Sequence, residues 1–145
     1  MKILLGLCFM AATALGHTLL EAVAEVESSG GRYLVGDNGR ARGAWQMHRR
    51  AWADVNGSLP KAARKDYQEV RNPITAKQFA QRYLAILEKE MRLDGVLVTA
   101  RHLYAAYNLG LENFRLRGYD LRRCPVTTRR QAERVFDLTV GRRAQ

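Results

Sequence analysis

Residues 18–31 read Thr-Leu-Leu-Glu-Ala-Val-Ala-Glu-Val-Glu-Ser-Ser-Gly-Gly, and the phase of this stretch decides how the chain is read. Thr18 and Glu21 have the spacing of a capping box, which predicts a short helix over Thr18–Glu27. At about 100° per residue, Leu19, Leu20, Val23 and Val26 share one apolar arc, and Glu21 and Glu25 fall opposite it. Glu27 does not join the other glutamates. It lies i+7 from Leu20 and i+4 from Val23, inside the apolar arc. A carboxyl there loses solvation and its pKa rises. A carboxyl still protonated near neutral pH is what a general acid requires. Ser28-Ser29-Gly30-Gly31 ends the helix and leaves Glu27 near an opening. The other reading is a glutamate at a frayed helix end, turned back to water. Helix phase alone leaves both readings open.

The chain has 145 residues, enough for one domain with its own core. Residues 1–16 have the form of a secretory signal. Lys2 supplies the positive start, Ile3–Ala14 a short apolar run, and Ala14-Leu15-Gly16 a small-residue cleavage site. The run is short for a membrane span. Thr18 begins the capping box just past the expected cut. An uncleaved anchor or a buried first helix is the alternative. Cleavage near Gly16 leaves residues 17–145 as the exported domain, periplasmic or extracellular. It also removes Cys8 and leaves Cys124 alone, so no internal disulfide is expected although the compartment permits one. Cys124 reads as a buried thiol or an intermolecular link.

Lys and Arg total 24 against 14 Asp and Glu, a formal net charge of +10. This balance suggests an anionic partner. Cell-wall polymer, a membrane surface and nucleic acid all carry the right sign. No zinc-finger spacing, aromatic-rich binding stretch or helix-turn-helix signature accompanies the charge, so nucleic acid is not the expected partner. Attraction to an anionic cell envelope is the remaining use for it, with Arg129-Arg130 and Arg142-Arg143 as a basic helix face and tail. The chain is expected to act as a monomer. His17, His48 and His102 have no metal-ligand spacing, and neither metal nor cofactor is expected.

Downstream of the first helix, Gly30–Gly43 is polar and glycine-rich. Asn38-Gly39 favours a tight hairpin turn between strands around Tyr33-Leu34-Val35 and Arg42–Trp45. Helices are expected over His48–Val55 and Ala62–Val70. The longest runs from Pro73 to about Asp94, with Asn72 as its cap and Gly95 as its stop. Phe79, Tyr83, Ile86, Leu87 and Met91 form its apolar stripe. A further helix spans about Val96–Asn108 and ends at Gly110. Residues 111–126 read as irregular. Thr128 and Gln131 then frame the start of a last helix carrying Ala132, Val135, Phe136 and Leu138.

Three short segments carry the chemistry: Glu27-Ser28, Gly43-Ala44-Trp45-Gln46-Met47 and Ala106-Tyr107-Asn108-Leu109-Gly110. In this order they resemble the lysozyme-like superfamily, in particular the soluble-type lytic transglycosylases. Each segment alone is weak, and the order and spacing of all three make the signal. The resemblance runs from about residue 19 to 110. It implies a mainly α, lysozyme-like (α+β) domain with a small β-hairpin after the catalytic helix. It also implies an enzyme acting on peptidoglycan glycan strands. Residue by residue, Glu27 takes the place of the catalytic acid, cleaving the β-1,4 bond between N-acetylmuramic acid and N-acetylglucosamine. Ser28 takes the place of a residue hydrogen-bonding near the acid and the sugar. Gln46 and Met47 line the groove, Tyr107 hydrogen-bonds and orients Glu27, and Asn108 faces the sugar. Tyr107 and Met47 are also readable as core packing. Trp45 and Trp52 could stack on sugar rings or share a core face.

One segment departs from the pattern. Gly36-Asp37-Asn38-Gly39-Arg40-Ala41-Arg42-Gly43, with Trp45-Gln46-Met47 and Ala51-Trp52-Ala53-Asp54, looks like the hairpin of invertebrate-type lysozymes. Those enzymes place a second catalytic aspartate about where Asp37 stands, which implies a muramidase, a hydrolase, as the alternative. Asp37 is equally readable as a turn residue beside Asn-Gly. The cysteines that staple the invertebrate enzymes are absent. A non-catalytic cell-wall-binding domain is the reading from outside enzymology. Glu27 in its buried phase argues against it, because a binder has no use for a desolvated carboxyl.

Overall fold

A computed structural model of the protein describes residues 16–141. Nearly all of the expected signal segment, and Arg142-Arg143, lie outside the described residues. The first helix, α1, spans Leu19–Ser28 and opens with the expected capping box. Thr18 N donates to Glu21 Oε2 at 2.9 Å, and Glu21 N donates to Thr18 Oγ1 at 3.3 Å. Ala22 and Val23 are wholly buried, so the apolar arc faces inward.

The hairpin follows. Strands β1 (Val35–Gly36) and β2 (Ala41–Arg42) pair antiparallel, with Val35 opposite Arg42 and Gly36 opposite Ala41. The strands are shorter than the sequence predicts. Asp37, Asn38 and Gly39 all take positive φ, at 46°, 53° and 84°, and form a 3-10 turn broader than a two-residue connection. Trp45 leaves the second strand early because its indole is drawn inward, donating from Nε1 to the Leu20 carbonyl at 2.9 Å.

Helix α2 spans Arg49–Gly57 and α3 spans Pro73–Leu93. Trp52 of α2 stacks on Phe79 of α3 with ring centroids 3.9 Å apart. Asn72 caps α3 as expected, accepting from Ile74 N and Thr75 N. The helix expected over Ala62–Val70 does not form. Lys61–Ala63 and Tyr67–Arg71 are separate 3-10 turns. Between them Lys65 has its backbone taken by side chains: its carbonyl accepts from Trp52 Nε1 and Asn56 Nδ2, and its N–H donates to Asn56 Oδ1. A helical ladder has no claim left on those groups.

Helix α4 spans Ala100–Leu109, beginning later than expected because Thr99 is its N-cap. The stretch read as irregular contains a five-residue helix, α5, at Leu111–Arg115, and a 3-10 turn at Leu121–Arg123. Such short helices leave too few residues to show a period. The last helix, α6, spans Val126–Thr139 and follows Pro125. Thr128 therefore sits inside its first turn, not at its cap, and is 2 % exposed. Helix α6 packs along α4 and α1, and α3 packs against both α2 and α4. Arg101 on α4 ties this layer to α6 through Glu133, at 2.6 Å, and lies over the Phe136 ring. Cys124 is a buried free thiol. The chain adopts the expected class, mainly α with one small hairpin after the first helix. Among the described residues no helix is long and apolar enough to cross a membrane.

Candidate active site

Glu27 stands on the last turn of α1, partly buried. It turns inward, where the Tyr104 hydroxyl donates to its Oε1 at 2.7 Å. Burial raises its pKa, against hydrogen bonds from Tyr104 and Asn108 that favour the charged form and pull it down. Desolvation is the largest of these effects, so the carboxyl holds its proton to higher pH than an ordinary glutamate. Tyr104 and Asn108 are one turn apart on α4, which places both on the same side of that helix. Burial, and after it the negative charge of Glu27, push the Tyr104 phenol far up, so it stays a donor.

This geometry corrects the role expected of Tyr107. Its hydroxyl donates to the Trp45 carbonyl at 2.6 Å, not to Glu27. Three residues beyond Tyr104 and one before Asn108, Tyr107 points toward the hairpin loop, and its ring meets Tyr83 edge-on at 5.5 Å. It holds the loop carrying Trp45–Met47 against α4. Tyr104, which no motif singled out, takes the contact with Glu27. Its i, i+4 spacing to Asn108 was the available signal.

The other predicted residues are placed as follows. Ser28 is buried, with its hydroxyl 2.6 Å from the Ala44 carbonyl and accepting from Gly31 N at 2.8 Å. It fastens the glycine-rich loop to the end of α1. Gln46, at φ 46°, donates from Nε2 to the carbonyls of Gly43 and Tyr33 at 2.8 and 3.0 Å. Gly36 leaves room for it, since a Cβ there would come within 2.2 Å of Gln46 Oε1. Met47 is 1 % exposed, and Trp45 and Trp52 are buried with their indole N–H groups bonded to backbone. Neither tryptophan presents a face for sugar stacking. Asp37 is bonded by Arg40 at 3.2 Å and lies 3.5 Å from His48 Nε2.

A groove of about 660 Å³ opens between α2, α3 and the α4–α5 junction. Gln46, Met47, His48, Tyr83, Tyr107 and Asn108 are among its lining. Asn108 is exposed there, so it belongs both to the groove wall and to the surroundings of Glu27. Burial raises the Tyr83 phenol to about 12, so this side chain stays a neutral hydroxyl in the groove. Among the described residues no group of three His, Cys, Asp or Glu is placed to hold a metal ion. A carboxyl that holds its proton to higher pH than usual, with a donor on one oxygen and Asn108 between it and the groove, is suited to giving a proton to a bound ether oxygen and taking one back.

A family model described as the transglycosylase SLT domain matches residues 10–118. No curated protein and no solved structure matches the chain. The matched residues span α1, the hairpin and α2 to α5, and so contain Glu27 and the other two motifs. The chain belongs to the transglycosylase SLT domain family, a lysozyme-like domain that acts on peptidoglycan.

Proposed function

We propose that the protein is a lytic transglycosylase cleaving the β-1,4 bond between N-acetylmuramic acid and N-acetylglucosamine, with Glu27 as both general acid and general base. The observation that carries this reading is the Glu27 carboxyl, withdrawn from water, bonded by Tyr104 and next to Asn108, which lines the groove. Protonated Glu27 gives its proton to the glycosidic oxygen as the bond to muramyl C1 breaks. The carboxylate then takes the proton of the muramyl C6 hydroxyl as that oxygen attacks C1. The product ends in a 1,6-anhydro ring, and Glu27 is again protonated. Tyr104 steadies the carboxylate between the two steps.

A muramidase needs a second carboxylate on the sugar. The engagement of Asp37 by Arg40 and His48, in a turn of positive φ, supports a structural role for it and favours the transglycosylase. The enzyme works outside the cytoplasm, after loss of the leader over residues 1–16, as a monomer on glycan strands. Its excess of positive charge attracts it to an anionic envelope. The test is turnover of purified peptidoglycan by two variants. Glu27→Gln is expected to fold and lose about 10²- to 10⁴-fold in rate. Asp37→Asn is expected to keep most of it. Full activity in the first variant would overturn the role of Glu27, and collapse of the second with intact folding would move the reading to a hydrolase.

A further inference from the structure

We propose that Thr128 of α6 is a positioning residue for the active site, acting on Glu27 through the Asn108 side chain. Thr128 Oγ1 donates to Asn108 Oδ1 at 2.8 Å. An asparagine amide has one accepting and one donating end. With its oxygen held by Thr128, the NH₂ end is left for Glu27 and the Tyr104 hydroxyl beside it. That end suits a carboxylate, which accepts and cannot donate. Turned the other way, the amide would aim its oxygen at the carboxylate and repel it.

Burial makes this contact effective. Asn108 is exposed to the groove, where water competes for both ends of its amide. Thr128 lies beneath it at 2 % exposure, where its hydroxyl needs a partner. The pair joins α4 to α6, and α6 lies beyond the residues matched by the family model. The sequence places Thr128 where a helix cap is expected. Because α6 starts at Val126, that hydroxyl is free of capping duty and reaches α4 instead. The titratable side chains that face Glu27 are Tyr104 and Tyr107 of α4, and both phenols are pushed far above neutrality by burial and by Glu27 itself. Arg134 of α6 pairs with Glu25 of α1 at 3.5 Å. The change in the surroundings of Glu27 on losing the Thr128 hydroxyl therefore runs through Asn108.

The proposal rests on Glu27 as the general acid, and its test reads Glu27 with and without substrate. Thr128→Val removes the hydroxyl at nearly constant volume, Thr128→Ala removes it without adding a methyl, and Thr128→Ser keeps it. The Glu27 carboxyl is titrated by carbon NMR in the free protein, and kcat is followed against pH on peptidoglycan. Loss of the oriented amide should move the Glu27 titration, and the alkaline limb of the rate profile, to higher pH in both hydroxyl-free variants. It should lower kcat roughly tenfold, and Thr128→Ser should restore both. In an Asn108→Ala background, Thr128→Val should shift the titration no further. A folded Thr128→Val or Thr128→Ala protein with the wild-type titration overturns the proposal, as does a shift that persists without Asn108. If wild type yields no cleavage, the transglycosylase reading fails, and the titration still decides whether Thr128 acts on Glu27.

Discussion

The Tyr104 hydroxyl is the only hydrogen-bond donor that approaches Glu27 from a fully buried side chain among the described residues. Tyr104→Phe keeps the packing and removes that donor. A hydrogen bond to a charged group is worth about 1.5–3 kcal/mol, so turnover should fall on the order of 10- to 100-fold. The alkaline limb of the rate profile should move to higher pH, because the carboxylate loses a partner. Wild-type kinetics in this variant would return the orienting role to Tyr107. Glu27 also sets a pH dependence of stability. Its folded pKa lies above the unfolded value near 4.5. Below that value both states hold the proton and the site carries no penalty. As pH rises past it the unfolded chain ionises first, and stability is lost until the folded carboxyl ionises too. Glutamine does not titrate, so the melting temperature of Glu27→Gln relative to wild type should rise from acid to neutral pH. A gap independent of pH would contradict a desolvated Glu27. The sequence made Glu27 legible because a charge in an apolar phase stands out within one helix. Tyr104 and Thr128 were not legible, because their roles depend on how α4 sits against α1 and α6.

Elements with a complete local signal formed where expected. Thr18 with Glu21, and Asn72 before Pro73, are side chains that satisfy helix-end N–H groups from within their own segment. Two of the failures share one cause, which is that distant side chains claimed the backbone. Trp52 and Asn56 take Lys65 out of the helix expected over 62–70. Trp45 reaches Leu20 and shortens the hairpin. Trp52 also holds α2 on α3, with 2 % exposure and its ring stacked on Phe79. Trp52→Ala should destabilise the fold by about 3–5 kcal/mol, measured by denaturant unfolding, with loss of the ordered 61–71 segment seen as faster amide exchange. A cost below about 1 kcal/mol would mean that α2 and α3 are held elsewhere.

At the scale of the whole molecule, α1, the hairpin loop and α4 are joined by contacts that converge on one place. Ser28 binds Ala44, Tyr107 binds Trp45, and Tyr104 binds Glu27. The three motifs were visible as an ordered set along the chain, and that order carried the fold class and the family. What each motif residue does was less visible. Ser28, Gln46 and Tyr107 spend their polar groups on backbone and build the loop beside the groove. The proposed chemistry leaves one acid, one groove and no water in the product. The most direct test is mass spectrometry of the soluble fragments released from purified peptidoglycan by residues 17–145, with Glu27→Gln in parallel. The account predicts muropeptides lighter by one water than hydrolysed ones, carrying 1,6-anhydro ends and absent with the variant. Full-mass reducing ends would contradict it.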